Sequence, residues 1–303
     1  MISITCLYKF QPVPAQELTD RKTWLESLAS RHKIKGLVLI GTEGINFTVS
    51  GKSPKLQSFK SELVDQWKIQ DPEFKDSEAS HHPFHEFVVK IKDEIVHIGD
   101  TSMIPVGGKD GHISPKEWNA KIQSGAVVVD TRNDYEYEIG RFKGALNLNL
   151  KEFHEFPDVV ANTDLPKDKE ILIYCTGGIR CEKAILAMRQ QGYDKVYQLD
   201  GGILKYLEEC PDQEFEGECF VFDYRVAVDQ RLQPSSRYKL CVHCGQASDR
   251  EVKCSLCGTT GIVCHHCQDA GINTCSKNCA HHVKIGSRSK RPHIQELSKR
   301  AKN

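Results

Sequence analysis

The chain has 303 residues, 27% of them charged and 39% hydrophobic, with 41 Lys and Arg against 41 Asp and Glu. At about 150 residues per domain this fits two globular domains and a small third, and it excludes disordered, fibrous and collagen-like classes. Residues 1–6 have no basic segment leading an apolar stretch, and Leu37 to Ile40 is far shorter than a membrane span, so a cytoplasmic protein outside the membrane is expected.

Ile2, Ile4, Cys6, Tyr8 and Phe10 alternate along one face, the period-2 pattern of a half-buried strand. Trp24, Leu25, Leu28 and Ala29 mark a helical face, and Ser53-Pro54 opens a second helix with Leu56, Phe59, Leu63 and Trp67 on one side. Strands at 36–41 and 45–49 flank the turn Thr42-Glu43-Gly44, and a further strand follows the second helix. This β-α-β-β-α-β order predicts a ferredoxin-like α+β domain over 1–75. A polar stretch then leads into strand pattern from Phe87 to Ile98, so 76–111 reads as a connecting strand segment.

Over 112–215 apolar strands alternate with helices. Ser114-Pro115-Lys116-Glu117 is a capping box that opens a helix through Ile122. Strands are predicted at 126–130, 171–174 and 196–199, with helices at 133–139, 180–191 and from Gly202 to about Glu209. Such alternation implies a parallel α/β sheet covered on both faces. A Cys-rich module over 216–282 and a basic tail over 283–303 complete the organisation.

The zero net charge conceals an asymmetry, because residues 231–303 carry 13 Lys and Arg against 4 Asp and Glu, a net +9. Eight thiolates holding two Zn2+ ions would leave about +5 there. Anionic partners, nucleic acid above all, are therefore expected. In the tail, Lys284, Arg288, Lys290, Arg291, Lys299, Arg300 and Lys302 face a single acid, Glu296.

The strongest local signal is Ile171-Leu172-Ile173-Tyr174-Cys175-Thr176-Gly177-Gly178-Ile179-Arg180-Cys181: an apolar strand, a cysteine, a Gly-rich turn and a helix start. Thr176, Gly177, Gly178 and Ile179 are expected to curl their amides inward as an anion cradle, with the helix adding its positive end. A thiolate or persulfide at Cys175 is stabilised there, and Arg180 is expected to place a fixed positive charge at the rim. Phosphatases use a similar loop with one more residue between Cys and Arg, and the tighter loop here suits a sulfur atom. Cys181, six residues on at the helix start, reads either as a thiol that resolves an oxidised or persulfidated Cys175 as a disulfide or as a packed helix cysteine.

Eight of the 13 cysteines lie between Cys241 and Cys279, as Cys241/Cys244, Cys254/Cys257, Cys264/Cys267 and Cys275/Cys279. In an unexported chain this spacing favours two closed structural Zn2+ sites of four thiolates each over disulfides. Sequential ribbons and a cross-brace joining the first pair with the third are both compatible with the spacing, and His243, His265, His266, His281 or His282 can replace a cysteine.

Val127-Val128-Val129-Asp130-Thr131-Arg132, then Glu136, Gly140, Gly144, Ala145 and Leu199-Asp200-Gly201-Gly202-Ile203 resemble the rhodanese family over about residues 112–210. Arg141 departs from the histidine usual there, and Asp130 and Arg132 are fold-supporting in that family. Gly41-Thr42-Glu43-Gly44-Ile45-Asn46, Lys90 to Val96, Cys175 to Lys183 and Cys219-Phe220-Val221-Phe222-Asp223 narrow the likeness. Together with the cysteine knuckles they resemble the oxygen-dependent tRNA uridine hydroxylases, which form 5-hydroxyuridine at the wobble position, 34. The resemblance implies a tRNA-modifying oxidoreductase acting on the anticodon loop, with O2 as co-substrate and an electron donor that the sequence does not name. Two routes are open: the Cys175 thiolate adds to C6 of uracil and makes C5 nucleophilic, or Cys175 carries a persulfide or oxidised sulfur that delivers oxygen. The competing readings are a sulfurtransferase working through a Cys175 persulfide and a non-catalytic RNA-binding adaptor.

Overall fold

In the computed structural model, residues 1–105 and 109–286 are described. They divide into two compact units at Pro234/Ser235.

The first unit opens with β1 (Ile2–Phe10), α1 (Leu18–His32), β2 (Lys35–Gly41), β3 (Gly44–Gly51), α2 (Ser53–Trp67), β4 (Lys75–Ala79) and β5 (Phe87–Ile91). Their sheet runs β4-β1-β3-β2-β5, antiparallel except that β5 joins β2 in parallel. The first four strands have the ferredoxin-like order read from the sequence. Leu25, Leu28 and Ala29 of α1 and Leu56, Phe59, Leu63 and Trp67 of α2 are buried in one core with Val38, Ile40, Phe47 and Val49. The helical faces are those set by apolar spacing.

Residues 76–111 are more than a connection, because β5 completes the first sheet. The strand also stops at Ile91, short of Ile98. Beyond it the buried Glu94 carboxylate accepts the backbone amides of Ile98 at 3.1 Å and Gly99 at 3.0 Å. A side chain that captures local amides competes with ladder pairing, so the chain turns while Ile95 and Ile98 remain buried.

The second sheet, β6-β11-β10-β7-β9, is parallel throughout. Its elements in chain order are β6 (His112–Ile113), α3 (Pro115–Gln123), β7 (Val127–Asp130), α4 (Asp134–Ile139), β8 (Gly140–Phe142), β9 (Leu146–Asn147), α5 (Phe156–Ala161), β10 (Ile171–Tyr174), α6 (Ile179–Gln190), β11 (Val196–Leu199) and α7 (Gly202–Glu209), of which β8 lies outside the sheet. Alternate strand residues face opposite cores: Val129, Ile171 and Ile173 pack with α5 and α6, whereas Val128, Leu172 and Tyr174 pack with Trp118, Ile203 and Tyr206. Both faces are therefore covered, as an apolar parallel sheet requires. β12 (Phe215–Gly217) pairs with β8, and β13 (Cys219–Phe220) pairs with β14 (Ala227–Val228).

The second unit has two short hairpins, β15 (Lys239–Leu240) with β16 (Ala247–Ser248) and β17 (Glu251–Lys253) with β18 (Thr260–Ile262), followed by α8 (His265–Asp269) and α9 (Lys277–Lys284). Arg288, Lys290, Arg291, Lys299, Arg300 and Lys302 of the basic tail lie outside the described residues.

Candidate active site

Cys175 directly follows the central strand β10, and α6 begins four residues later. The turn between them needs glycine at Gly178, whose φ is +99° and where a Cβ would stand 2.9 Å from the Tyr8 hydroxyl. Of the four loop residues expected to turn their amides inward, Gly178 donates to Cys175 Sγ at 3.1 Å. The start of α7 holds the loop from below. Ile203 N–H donates to the Cys175 carbonyl at 3.0 Å and Leu204 N–H to that of Thr176 at 3.1 Å. Gly202, with φ +67°, lets α7 approach this closely, since a Cβ there would meet the Cys175 carbonyl oxygen at 2.6 Å.

Burial alone pushes the Cys175 thiol up. A hydrogen bond from the Cys181 thiol, the Arg180 charge and the amides of Cys181 and Arg180 outweigh it and bring the value down to about 6. Cys181 pays the opposite way: burial and the neighbouring thiolate push it well above the ordinary thiol range. It is fully buried, its sulfur 3.7 Å from the Thr131 hydroxyl. One thiolate beside one protonated thiol is the resulting state.

Arg180 lines the cavity and is 7% exposed, its guanidinium donating to Glu136 at 2.6 and 2.8 Å. Two parallel bonds to a buried carboxylate fix it in a single pose, because an uncompensated arginine in this interior would be costly. Thr176 donates to the same carboxylate at 3.3 Å. Asp130 and Arg132 form a second buried pair at 2.6 Å, with Arg132 also donating to the Gly140 carbonyl, which is a support for the fold. Arg141 lies over the Tyr137 ring.

The N-terminal sheet reaches the back of the same helix. Tyr8 donates to Glu182 at 2.8 Å, and the fully buried Lys183 ammonium lies 2.8 Å from Glu43 and 2.6 Å from Glu94. Cys175, Thr176, Gly177 and Arg180 line a cavity of about 990 Å³ together with residues of the N-terminal sheet such as Asn46 and Lys75. That is ample space for a nucleotide.

Three family descriptions match in succession: the UPF0176 acylphosphatase-like domain over residues 2–95, the rhodanese-like domain over 114–209 and the rhodanese C-terminal region over 216–280. A tRNA uridine(34) hydroxylase of Bdellovibrio bacteriovorus is 45% identical over 285 residues, 92% of this chain and 81% of the relative. The protein of the same name from a Picosynechococcus species is 44% identical over 88% of this chain and 90% of the relative. The chain belongs to the tRNA uridine(34) hydroxylase family. Among solved structures, a rhodanese-like domain from Anabaena covers 35% of the chain and 79% of its own length at 21% identity and a TM-score of 0.30.

In this hydroxylase-family chain the eight cysteines of the second unit gather as a cross-brace. Cys241, Cys244, Cys264 and Cys267 form one group and Cys254, Cys257, Cys275 and Cys279 the other, the sulfurs of each lying within 4.8 Å of one another. Four thiolates at ~2.3 Å from a tetrahedral ion would stand ~3.8 Å apart. The separations of 3.4 Å between Cys244 and Cys264, 3.5 Å between Cys257 and Cys275, and 3.8 Å between Cys275 and Cys279 fit that geometry and are far too long for disulfides. Both groups suit a metal ion. The histidines are not needed: His243 bonds the Thr274 carbonyl at 2.7 Å.

The structure places Cys175, Arg180 and Cys181 together on one loop and helix start, in a different unit from the metal-type cysteines. Sequence reading misses the carboxylate that locks Arg180. Glu136 carried a family signal, but only the fold shows its partner.

Proposed function

We propose that this chain hydroxylates uridine 34 of tRNA to 5-hydroxyuridine, with O2 as co-substrate and Cys175 as the reacting residue. The observation that carries the reading is the Cys175 sulfur, held by the Gly178 amide on the wall of a nucleotide-sized cavity in a chain 45% identical to a tRNA uridine(34) hydroxylase. The wobble base lies in a single-stranded loop, so splaying it into the cavity costs little.

In the mechanism we favour, the Cys175 thiolate adds to C6 of uracil, and negative charge develops on C5 and the adjacent carbonyl. C5 then takes one oxygen atom from O2. Loss of the C5 proton and expulsion of the thiolate restore the aromatic-type ring. The second oxygen atom leaves as water and requires two electrons and two protons from a reductant. Cys181, protonated beside Cys175, is the residue that donates a hydrogen bond to the resting thiolate and resolves an oxidised Cys175. Arg180 supplies charge from a fixed position, and Glu136 prevents it from swinging into the cavity.

We assign structural Zn2+ to both cysteine groups of the second unit, since a full set of four thiolates leaves no open position for substrate. The basic segment from Lys284 to Lys302 supplies positive charge for the RNA backbone.

The test is nucleoside mass spectrometry of tRNA incubated with protein and reductant, in air and under nitrogen, comparing wild type with Cys175→Ser. 5-Hydroxyuridine formed only in air and only with Cys175 intact is expected. Absence of the product, with sulfur loaded from thiosulfate onto Cys175, would restore the sulfurtransferase reading. Unchanged tRNA function in cells carrying Cys175→Ser would point to the adaptor.

A further inference from the structure

Phe222 lines the same cavity as Cys175 and Arg180, yet it is 60% exposed. Burying a phenylalanine is favourable, and much of that gain is forgone here. Single exposed apolar residues are common on protein surfaces, so exposure alone decides nothing. What sets Phe222 apart is the rigidity of the segment that presents it.

Val221 N–H donates to the Val226 carbonyl at 3.0 Å, and Val226 N–H to that of Asp223 at 2.9 Å, closing a tight turn just after Phe222. Inside it the Arg225 guanidinium grips the Asp223 carboxylate, with 2.6 Å as its shortest contact. Arg225 also donates to Ser77 of β4 at 2.8 Å, and Tyr224 N–H donates to the Pro83 carbonyl at 3.1 Å. Val226 adopts φ +66°, a conformation that a β-branched residue takes only where its surroundings impose it. A strained turn pinned to the N-terminal sheet thus holds an apolar ring in the open.

The ring itself is oriented. Phe220 meets it edge-on at 5.0 Å and 89°, and the Arg180 guanidinium carbon is 5.7 Å from its centroid. A fixed aromatic ring lining the cavity that holds Cys175, and left exposed, is a surface on which a planar ring can stack.

We propose that Phe222 is the stacking platform for the uracil ring of uridine 34, holding C6 over Cys175. This inference rests on the proposed hydroxylase function and adds a substrate-binding residue to it. Stacking on an aromatic ring is worth ~1–3 kcal/mol per base, a factor of about 5 to 150.

The experiment compares kcat/KM for Phe222→Ala, Phe222→Leu, Phe222→Tyr and Phe222→Trp on an anticodon stem-loop. Ala and Leu are expected to lose about 5- to 150-fold, and Tyr and Trp to recover most of it. The iodoacetamide alkylation rate of Cys175 should be the same in all, which separates stacking from damage to the loop. A second readout is the added emission of Phe222→Trp relative to wild type, expected to be quenched by a stem-loop with uridine at 34 and not by one abasic at 34. Leu performing as well as Tyr, or equal quenching by the two stem-loops, would overturn the proposal. If wild type makes no hydroxylated product, the enzymatic reading fails by itself, while the emission comparison still decides whether Phe222 stacks the base.

Discussion

Arg180 and Glu136 form a bidentate ion pair, 2.6 and 2.8 Å, in which the arginine is 7% exposed and the glutamate fully buried. Here the charge is half-spent on a carboxylate, and its influence on Cys175 is exerted at a fixed distance. Replacing Glu136→Gln keeps the shape and removes the counter-charge. It should destabilise the protein by roughly 3 kcal/mol, because a buried arginine loses its partner. At the same time the unneutralised guanidinium should pull the Cys175 thiol still lower. Urea melts and the pH profile of Cys175 alkylation measure the two effects. A thiol value that stays put or rises would show that Arg180 does not act on Cys175 through charge.

The Cys175 value of about 6 gives a pH dependence of definite sign. A lowered thiol means the thiolate is populated above that pH and lost below it. Alkylation by iodoacetamide should therefore be level from about pH 7 upward and fall about tenfold per unit below the thiol value. Hydroxylation, if thiolate addition to C6 starts it, should fall on the same limb. Cys181→Ser retains a donor near Cys175 but not a thiol. It should leave first-turnover hydroxylation in place and, where Cys175 is oxidised in each cycle, slow the later turnovers. Equal loss on the first turnover would instead give Cys181 a part in the chemistry.

Lys183 is fully buried and its ammonium contacts Glu43 at 2.8 Å and Glu94 at 2.6 Å. Lys183→Met fills the same space without the charge and leaves two buried carboxylates facing each other. A loss of about 3–5 kcal/mol in urea unfolding is expected. The triple replacement Lys183→Met, Glu43→Gln, Glu94→Gln should recover part of it, since no unpaired charge is then left inside. No recovery would mean that hydrogen bonds rather than charge balance hold this contact.

The same triad shows what the sequence made legible and what it did not. Periodicity located the faces of α1 and α2, because burial on one side leaves a repeat of 3.6 in the chain. Cysteine spacing and the Gly-rich turn located the loop around Cys175, because both are local. Glu43, Glu94 and Lys183 each sat within a stretch that resembled the hydroxylase family, yet nothing local showed that the three meet. Pairing between a hairpin turn, a post-strand bend and a helix is a property of the tertiary fold. For the same reason the strand at Phe87–Ile91 read as a connection: its partner β2 is some 50 positions earlier. The partner of Arg180 stayed hidden in the sequence because Glu136 lies on a different helix, α4.

The pairing of the metal-type cysteines was also open in the sequence, and the cross-brace makes a prediction that sequential ribbons do not share. Wild type should carry two Zn2+ per chain by elemental analysis. In Cys241→Ser, Cys264→Ser the two changes fall on one group of the cross-brace, Cys241, Cys244, Cys264 and Cys267. One Zn2+ should therefore remain, held by Cys254, Cys257, Cys275 and Cys279. Sequential ribbons would place one change in each site, and both ions would be weakened or lost. Cys241→Ser, Cys254→Ser reverses the pattern, striking both cross-braced groups but only one ribbon. Chelation of the wild type should unfold the second unit, because four thiolates around no ion leave these short hairpins without a core of their own size. Retention of one ion in the first double variant and loss of both in the second establishes the pairing. The opposite result would refute it.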